Sequence, residues 1–393
     1  MAILAVNAGS SSLKFSLHPL HDGEVQRSVL NGNVEGLEPG GAAVLGWTFD
    51  DQKRSRQLPA TSGDPFEQAL QSLGELLAGI RAATTLEAIA HRVVHGGRKF
   101  SASVRVTDTV LEQLTALNSL APLHQPQNLK GIRAFQKAFP STPQVACFDT
   151  AFHATLAEAD YSFALPQALT DQGVRRYGFH GLSYQYVMSA LQERSARANG
   201  RVLMAHLGNG ASLCAAREGL SCATTMGFST LDGLVMGTRS GTLDIGVMLY
   251  LMEQGWDHAR LQTLLYKQSG LLGVSGISAD MRTLRADGSP AAQRAIELFT
   301  HRVVRESGAM VACMGGLDVL SFSGGIGEHD SAMRSQICER LAWLGVVIDP
   351  QLNELAAGDQ EVAIHSAESS VQVWVIPTDE GLVVAREAAR LLP

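Results

Sequence analysis

Ile3-Leu4-Ala5-Val6-Asn7-Ala8-Gly9-Ser10-Ser11-Ser12-Leu13-Lys14-Phe15-Ser16-Leu17 opens the chain, and its reading decides the fold. A short apolar, partly β-branched run leads into a Ser/Gly-rich turn, and a second run follows in which apolar and polar residues alternate. That pattern predicts a β-hairpin with a small-residue tip. The motif returns at Val202-Leu203-Met204-Ala205-His206-Leu207-Gly208-Asn209-Gly210-Ala211-Ser212-Leu213-Cys214-Ala215. At an offset of 200, Ala5 meets Ala205, Ser12 meets Ser212 and Leu13 meets Leu213. Two unrelated hairpins would also give so short a match. Two small-residue turns, each set between apolar runs, point instead to an internal duplication.

Outward from the hairpins, strand and helix signals alternate. The stretch 36–64, rich in Gly, Pro, Ser and Asp, reads as loops around short strands. Phe66, Ala69, Leu70, Leu73, Leu76, Leu77 and Ile80 have helical spacing across 66–82. Residues 108–119 read as a helix with Asp108 as N-cap. Residues 145–148 form a buried-strand candidate that stops at Asp149. Residues 291–314 are helical. Residues 319–323 read as a strand ending in the turn Gly324-Gly325-Ile326-Gly327, 371–376 as a strand stopped by Pro377, and 380–392 as a terminal helix. The alternation gives the α/β class.

With 393 residues, two to three domains are expected, and a hydrophobic fraction of 45% fills their cores. Lys plus Arg is 31 against 38 acidic residues, a net charge of -7, which argues against a nucleic-acid partner. Cys147, Cys214, Cys222, Cys313 and Cys338 contain no C-x-x-C pair, so zinc and thioredoxin-like readings fail. Their odd number and scatter fit reduced thiols. The first residues lack a basic n-region, and no apolar run has membrane-spanning length. The expectation is a soluble cytoplasmic protein with no membrane partner.

No Walker A and no G-x-G-x-x-G pattern is present, which disfavours a P-loop or a Rossmann dehydrogenase. The chain offers three small-residue turns instead, at 7–12, 208–212 and 324–327. Glycine lets backbone approach a ligand, and exposed N–H groups in such turns make anion-binding nests. With Ser hydroxyls and Lys14 beside the first turn, phosphate binding is expected. Arg92 lies in His91-Arg92-Val93-Val94-His95-Gly96-Gly97, and Arg239 in Gly237-Thr238-Arg239-Ser240-Gly241. A cation in a Gly-flanked turn suits a carboxylate or phosphate that must come close. Either arginine taken alone reads better as the partner of a structural carboxylate. Asp149 and Glu380 each follow a strand-like run, where ligands gather in open α/β sheets. They suit Mg²⁺, which takes one or two carboxylates plus phosphate oxygens, or equally a cap or a surface charge. His124, His180 and His206 lack metal-ligand spacing and alone read as core or capping residues.

Taken together, several long segments resemble the acetate kinase (acetokinase) family of the ASKHA superfamily. They are 6–15, 91–97, Ala121-Pro122-Leu123-His124, Phe148-Asp149-Thr150-Ala151-Phe152-His153 and Tyr177-Gly178-Phe179-His180-Gly181. The set continues through 206–210, Met236-Gly237-Thr238-Arg239-Ser240-Gly241, Gly276-Ile277-Ser278-Ala279-Asp280-Met281-Arg282, 324–328 and Pro377-Thr378-Asp379-Glu380. These segments run in the family's order along nearly the whole chain.

The resemblance implies two duplicated RNase H-like domains of the actin, Hsp70 and sugar-kinase type, with ATP in the cleft between them. The expected domains are 1–149, with helix 381–393 packing back on it, and 150–380, which binds nucleotide and dimerises. The resemblance implies a reversible transfer of the ATP γ-phosphoryl to acetate, a homodimer, and Mg²⁺ with Mn²⁺ as the alternative. It assigns Ser10, Ser12 and Lys14 to the first phosphate turn and His206, Gly208, Asn209 and Gly210 to the second. Asp280, Met281, Arg282, Gly324, Gly325, Ile326 and Gly327 are assigned to ATP. Arg92 and Arg239 are implied to grip the carboxylate and the phosphoryl in flight, with His180 donating to that phosphoryl and His124 in support. Asn7 and Glu380 are implied for the metal, and Asp149 for catalysis beside the arginines. Val94, Leu123, Phe179 and Thr230 are implied to line the pocket for the acid's tail.

The chain departs from the family pattern at Thr230 (usually Pro), Thr242 (acidic), Ile245 (Pro), Gln125 and His329 (Asn) and Gly381 (acidic); we read these departures as tuning or neutral drift. A propionate or butyrate kinase differs only in the alkyl pocket, and an actin- or Hsp70-like regulatory ATPase would share the fold without Arg92 and Arg239 on an acid pocket.

Overall fold

The computed structural model describes residues 1–9, 11–38, 41–59, 64–80, 85–122, 124–358 and 360–392. They fall into two compact units, Met1–Ala151 with Asp379–Pro393, and Phe152–Thr378.

The first unit is built on one mixed sheet. Its strands are β1 (Ala2–Ala8), β2 (Ser12–His21), β3 (Glu24–Val25), β4 (Leu30–Glu35), β5 (Val44–Phe49), β6 (Gln52–Gln57), β7 (Leu86–Val93), β8 (Val104–Arg105) and β9 (Gln144–Phe148), in the order β6-β5-β4-β2-β1-β7-β9-β8 with β3 on β2. β1 is antiparallel to β2 and parallel to β7, which is parallel to β9. The parallel strands read as near-continuous apolar runs because both of their faces are covered. Leu4 and Val6 of β1 share a core with Phe66, Leu70, Leu73 and Phe135 from the helices Pro65–Ala78 and Gln125–Ala138. The terminal helix Glu380–Arg390 packs on β7 and β1 through a stripe that buries Leu382, Val383, Ala385 and Ala388.

The second unit repeats the plan. Its strands are β10 (Arg201–Leu207), β11 (Ala211–Arg217), β12 (Leu220–Thr224), β13 (Val319–Ser323), β14 (Val362–Ala363) and β15 (Gln372–Val375), in the order β12-β11-β10-β13-β15-β14. Again a hairpin-linked antiparallel trio joins two parallel strands, since β10 is parallel to β13 and β13 to β15. The helix Gly181–Arg194 buries Tyr184, Val187, Met188 and Leu191 against Val202 and Met204 of β10. The long helix Pro290–Met314 lies on β11 and β10.

The hairpins predicted at 3–17 and 202–215 are both present, but their offset is not constant. Ala5 pairs with Ser16, whereas Ala205 pairs with Leu213. The structural counterpart of Leu213 is therefore Ser16, and the identities at 12/212 and 13/213 are coincidental. The cause is turn length. Ala8 pairs with Leu13, but Leu207 pairs with Ala211 across the tighter Gly208-Asn209-Gly210.

Two boundaries also move. The helix expected at 108–119 spans Asp108–Thr115, and its cap is Thr107, extended, whose hydroxyl accepts from the Val110 N–H at 3.2 Å. The glycine turn expected at 324–327 is a helix of six residues, Gly324–His329. Ser323 is extended and starts it, and the Glu328 carboxylate accepts from the Gly324 N–H at 2.7 Å, satisfying one of the free first-turn donors.

Candidate active site

The site residues of the first unit stand at the carboxyl ends of β7 and β9. These strands are parallel neighbours, so Arg92 near the end of β7 and Asp149 just past β9 emerge on the same edge. Arg92 donates from Nε to Asp149 Oδ1 at 2.9 Å and from Nη2 to Oδ2 at 2.8 Å, a bidentate fork. Its Nη1 lies 3.4 Å from Glu380 Oε2. Glu380 begins the terminal helix, which Asp379 caps. Burial opposes the charge on Arg92, but the two carboxylates more than offset it and hold the guanidinium well above its ordinary value. Burial raises the Asp149 carboxyl above its ordinary value against the pull of Arg92, with smaller influences from Glu380, which raises it, and from His124, at the N-cap of helix Gln125–Ala138, which lowers it. One cation thus faces two anions, leaving one negative charge in surplus.

The loop after Arg92 is pinned at every backbone N–H. Val94 donates to Asn128 Oδ1 (3.1 Å), His95 to Gln125 Oε1 (3.2 Å), Gly96 to Thr150 Oγ1 (3.1 Å) and Gly97 to His95 Nδ1 (2.8 Å). Gln125 also returns a bond from Nε2 to the His95 carbonyl at 3.0 Å, and Asn128 Nδ2 donates to the Ala8 carbonyl at 2.8 Å. Both amides are buried. Gln125, which the sequence suggested was tuning or drift, is a clamp on the loop that carries Val94.

In the first turn the Gly9 N–H donates to the Ser12 carbonyl at 2.8 Å. Asn7 is half-buried on β1 opposite Lys14, which is exposed and, among the described residues, makes no ion pair. Ser10 and Leu123 lie outside the described residues.

In the second unit, His180 precedes helix Gly181–Arg194 with φ 58, in the left-handed region that a non-glycine residue enters at a cost. Its Nδ1 is 2.8 Å from Ser212 Oγ, which is 2.5 Å from the Tyr184 hydroxyl. Its ring lies 4.4 Å, centroid to centroid, from that of His206, whose Nδ1 is 2.8 Å from Ser183 Oγ. A Cβ on Gly210 would come within 3.3 Å of His180 Nε2 and 3.6 Å of Arg239 Nη2. The bare Cα of Gly210 therefore lies beside both groups.

Arg239 contrasts with Arg92. Its Nη1 donates to the Thr230 carbonyl at 3.0 Å, and among the described residues no carboxylate comes within ion-pair distance. Burial pushes its guanidinium below the ordinary value. Its loop is knitted by Ser240 N–H to Leu265 O (3.2 Å) and Ser269 N–H to Thr238 O (3.0 Å), while a side chain on Gly237 would collide with Asn209. Of the glycines that flank Arg239 in the sequence, Gly237 thus serves close packing against the Asn209 turn, and Gly241, at positive φ, packs against the backbone of Gly233 and Leu234.

The remaining candidates separate. A Cβ on Gly324 would strike the Leu207 backbone, so helix Gly324–His329 sits against the end of β10. The Glu328 carboxylate that holds Gly324 also accepts from the Thr378 N–H at 3.1 Å. Asp280 caps helix Met281–Asp287 and pairs with Arg282 at 2.6 Å, which holds its carboxyl down at about 2. Met281 and Phe179 are buried, whereas the Arg282 side chain is 91% exposed. Val94 and Thr230 are half-buried.

One group escaped the sequence reading. Arg334 is fully buried and donates to the carbonyls of Gly327, Glu328, Asn353 and Ala356 and to Asn353 Oδ1, bracing the end of helix Gly324–His329. Nothing in Met333-Arg334-Ser335 distinguishes it from a surface arginine. Thr242 donates to Asp232 Oδ1 at 2.8 Å. An acid at 242 would put two carboxylates together, which accounts for threonine there. Gly381 likewise has a cause, since a side chain on it would meet Ser16 Oγ and His18.

Among the described residues, no group of three His, Cys, Asp or Glu side chains could hold a metal by itself. The donors near Arg92, two carboxylates with one negative charge in surplus, fit a hard divalent cation that keeps most of its coordination to phosphate and water.

Residues 2–386 match the model of the Acetokinase family. The acetate kinase of Rhodopseudomonas palustris (strain ATCC BAA-98 / CGA009) is 48% identical over 393 residues, covering 99% of this chain and 98% of that protein. The crystal structure of a propionate kinase from Francisella tularensis subsp. tularensis SCHU S4 superposes with a TM-score of 0.90 at 39% identity, over 98% of both chains. That of Porphyromonas gingivalis acetate kinase gives 0.89 at 37% identity, over 100% of both. The α/β class expected from the sequence agrees with these structures, and the chain builds it on two mixed sheets.

Proposed function

The chain belongs to the acetokinase family of ATP-dependent carboxylate kinases, and from that premise we propose that its acid is acetate, giving acetyl phosphate and ADP by direct in-line transfer. The observation that carries this choice is the clamped loop at Val94. Four side chains satisfy its four successive N–H groups, so the wall expected to meet the acid's tail does not yield to a longer one. The full-length similarity to a protein named acetate kinase supports the same reading.

The chemistry needs no general base, because a carboxylate is already an anion. Its difficulty is to bring two anions together and to stabilise charge on the equatorial phosphoryl oxygens. We assign Arg239 and His180 to those oxygens, with His124 in support. Arg92, held in place by Asp149, takes the acid's carboxylate. Lys14, Ser10, Ser12 and the 206–210 turn bind the phosphates, and Asp280–Arg282 with Gly324–Gly327 bind the adenosine. Asn7 and Glu380 would hold Mg²⁺, or Mn²⁺ in its stead. That ion, when bound, would neutralise part of the phosphate charge. We assign Val94, Leu123, Phe179 and Thr230 to the acid's tail.

Helix Ile245–Glu253 buries none of its residues, and Ile245 (75%), Leu249 (59%), Tyr250 (59%) and Met252 (57%) are exposed. We assign this face to a second copy of the chain. Reduced thiols and the lack, among the described residues, of a helix able to cross a membrane support a cytoplasmic enzyme.

A hydroxamate trap for acyl phosphate, run with ATP, Mg²⁺ and an acid series, tests the choice of acid. One methylene changes binding in an apolar pocket by about 1–3 kcal/mol, so kcat/KM for acetate should exceed that for propionate by at least roughly tenfold. Equal or better turnover of propionate would make the protein a propionate kinase.

A further inference from the structure

The hydroxyls beside His180 determine where its proton sits. Tyr184 is 0% exposed, and burial raises its phenol well above the ordinary value, so it stays protonated. Its hydrogen needs an acceptor, and among the described residues the one in reach is Ser212 Oγ at 2.5 Å. Ser212 is also 0% exposed and has a single hydrogen of its own. Having accepted from Tyr184, it has His180 Nδ1, 2.8 Å away, as the acceptor for that hydrogen. The count closes in one way, with Tyr184 donating to Ser212 and Ser212 to Nδ1. His180 then carries its proton on Nε2, the nitrogen beside Gly210 and Arg239. In the imidazolium both nitrogens donate, and the Ser212 hydrogen would be left in a buried place without an acceptor.

We propose that Ser212, its oxygen engaged by Tyr184, is a positioning residue that holds His180 as a neutral imidazole protonated on Nε2, aimed at the edge it shares with Arg239. The proton's location stands on the hydrogen bonds themselves. Its consequence for catalysis rests on the proposed role of His180 as a donor to the phosphoryl. A neutral donor with a fixed proton suits that role, because the ring need not choose a tautomer once the nucleotide is bound.

The test is nitrogen NMR of the full chain labelled with ¹⁵N-histidine, followed across pH. His180 in the wild type should show an unprotonated Nδ1 and a protonated Nε2. In Ser212→Ala no buried hydroxyl needs Nδ1 as its acceptor, so the ring should protonate at higher pH, and Ser212→Thr should restore the wild-type signals. In Tyr184→Phe the Ser212 hydrogen still has Nδ1 as its acceptor, so the tautomer should remain that of the wild type. In parallel, kcat should fall about tenfold in Ser212→Ala, with KM for both substrates nearly unchanged and the acid limb of the pH–rate profile moved upward. A wild-type His180 with its proton on Nδ1 overturns the proposal, as does a titration unmoved in Ser212→Ala or a tautomer changed in Tyr184→Phe. A wild type that forms no acyl phosphate would defeat the assigned activity instead, and the NMR result would still decide the tautomer.

Discussion

At the scale of single residues, the two arginines are not equivalent. Arg92 is paired with Asp149 and Glu380, so its charge is more than cancelled locally. Arg239 is half-buried with carbonyl company and, among the described residues, no carboxylate. A largely desolvated charge left in this state costs stability, which makes sense where an anionic ligand completes it. Arg239→Met should therefore lower kcat by about three decades, the range for a cation acting on a transferring phosphoryl, while leaving thermal stability equal or higher. Arg92→Ala should lower kcat by about as much and also destabilise the fold by about 3 kcal/mol, because it strands two carboxylates together. Steady-state kinetics with thermal melts separate the two, and a fall under tenfold for Arg239→Met would remove it from the reaction. In the sequence each arginine, taken alone, read better as a structural partner than as a ligand group. The pairing that divides them joins Arg92 to a residue 57 positions away, a tertiary fact with no local signature.

At the scale of elements, helix Gln125–Ala138 turns one face to the strand ends. Gln125 and Asn128 reach the loop at Val94, and Asn128 also reaches Ala8. A Cβ on Gly131 would crowd Ala8, at 2.6 Å from its Cβ, so this glycine lets the helix come close enough for the amide to bridge. Asn128→Ala strands a buried N–H and a buried carbonyl, at about 1–3 kcal/mol each. The expected outcome is a clear loss in denaturant stability together with at least a tenfold rise in KM for the acid. An unchanged KM in a destabilised protein would make Asn128 structural only. This helix was not read from the sequence, whereas those at Pro65–Ala78 and Pro290–Met314 were legible from periodicity, because an amphipathic stripe is a local property. The error at Gly324–His329 has a physical source. Glycine-rich sequence favours a turn on propensity alone, whereas a short helix is held there by side chains outside that tetrapeptide, Glu328 on the Gly324 N–H and Arg334 on the Gly327 carbonyl.

At the scale of the whole molecule, the duplication was visible in outline because both hairpins keep their apolar runs and small-residue tips. The register was not, because a shorter second turn moves β11 by three positions against the offset the identities suggested. What the chain leaves unburied is as informative as the repeat. Leu243, Ile245, Val247, Leu249, Tyr250 and Met252 are all exposed on one short stretch, whereas soluble monomers rarely leave so many large apolar side chains contiguous. Between 245 and 252 the helix has no charged residue, so its partner surface should be apolar too, and a two-fold axis supplies one by setting the same helix against itself. Such an isologous contact is the most sensitive kind to a new charge, because each substitution appears twice and faces its own copy. The wild type should therefore run as a dimer in light scattering at micromolar concentration, and Ile245→Glu combined with Tyr250→Glu should run as a monomer with the circular dichroism of the wild type. A wild type that is monomeric, or a double variant that remains dimeric, would assign that face to a different partner.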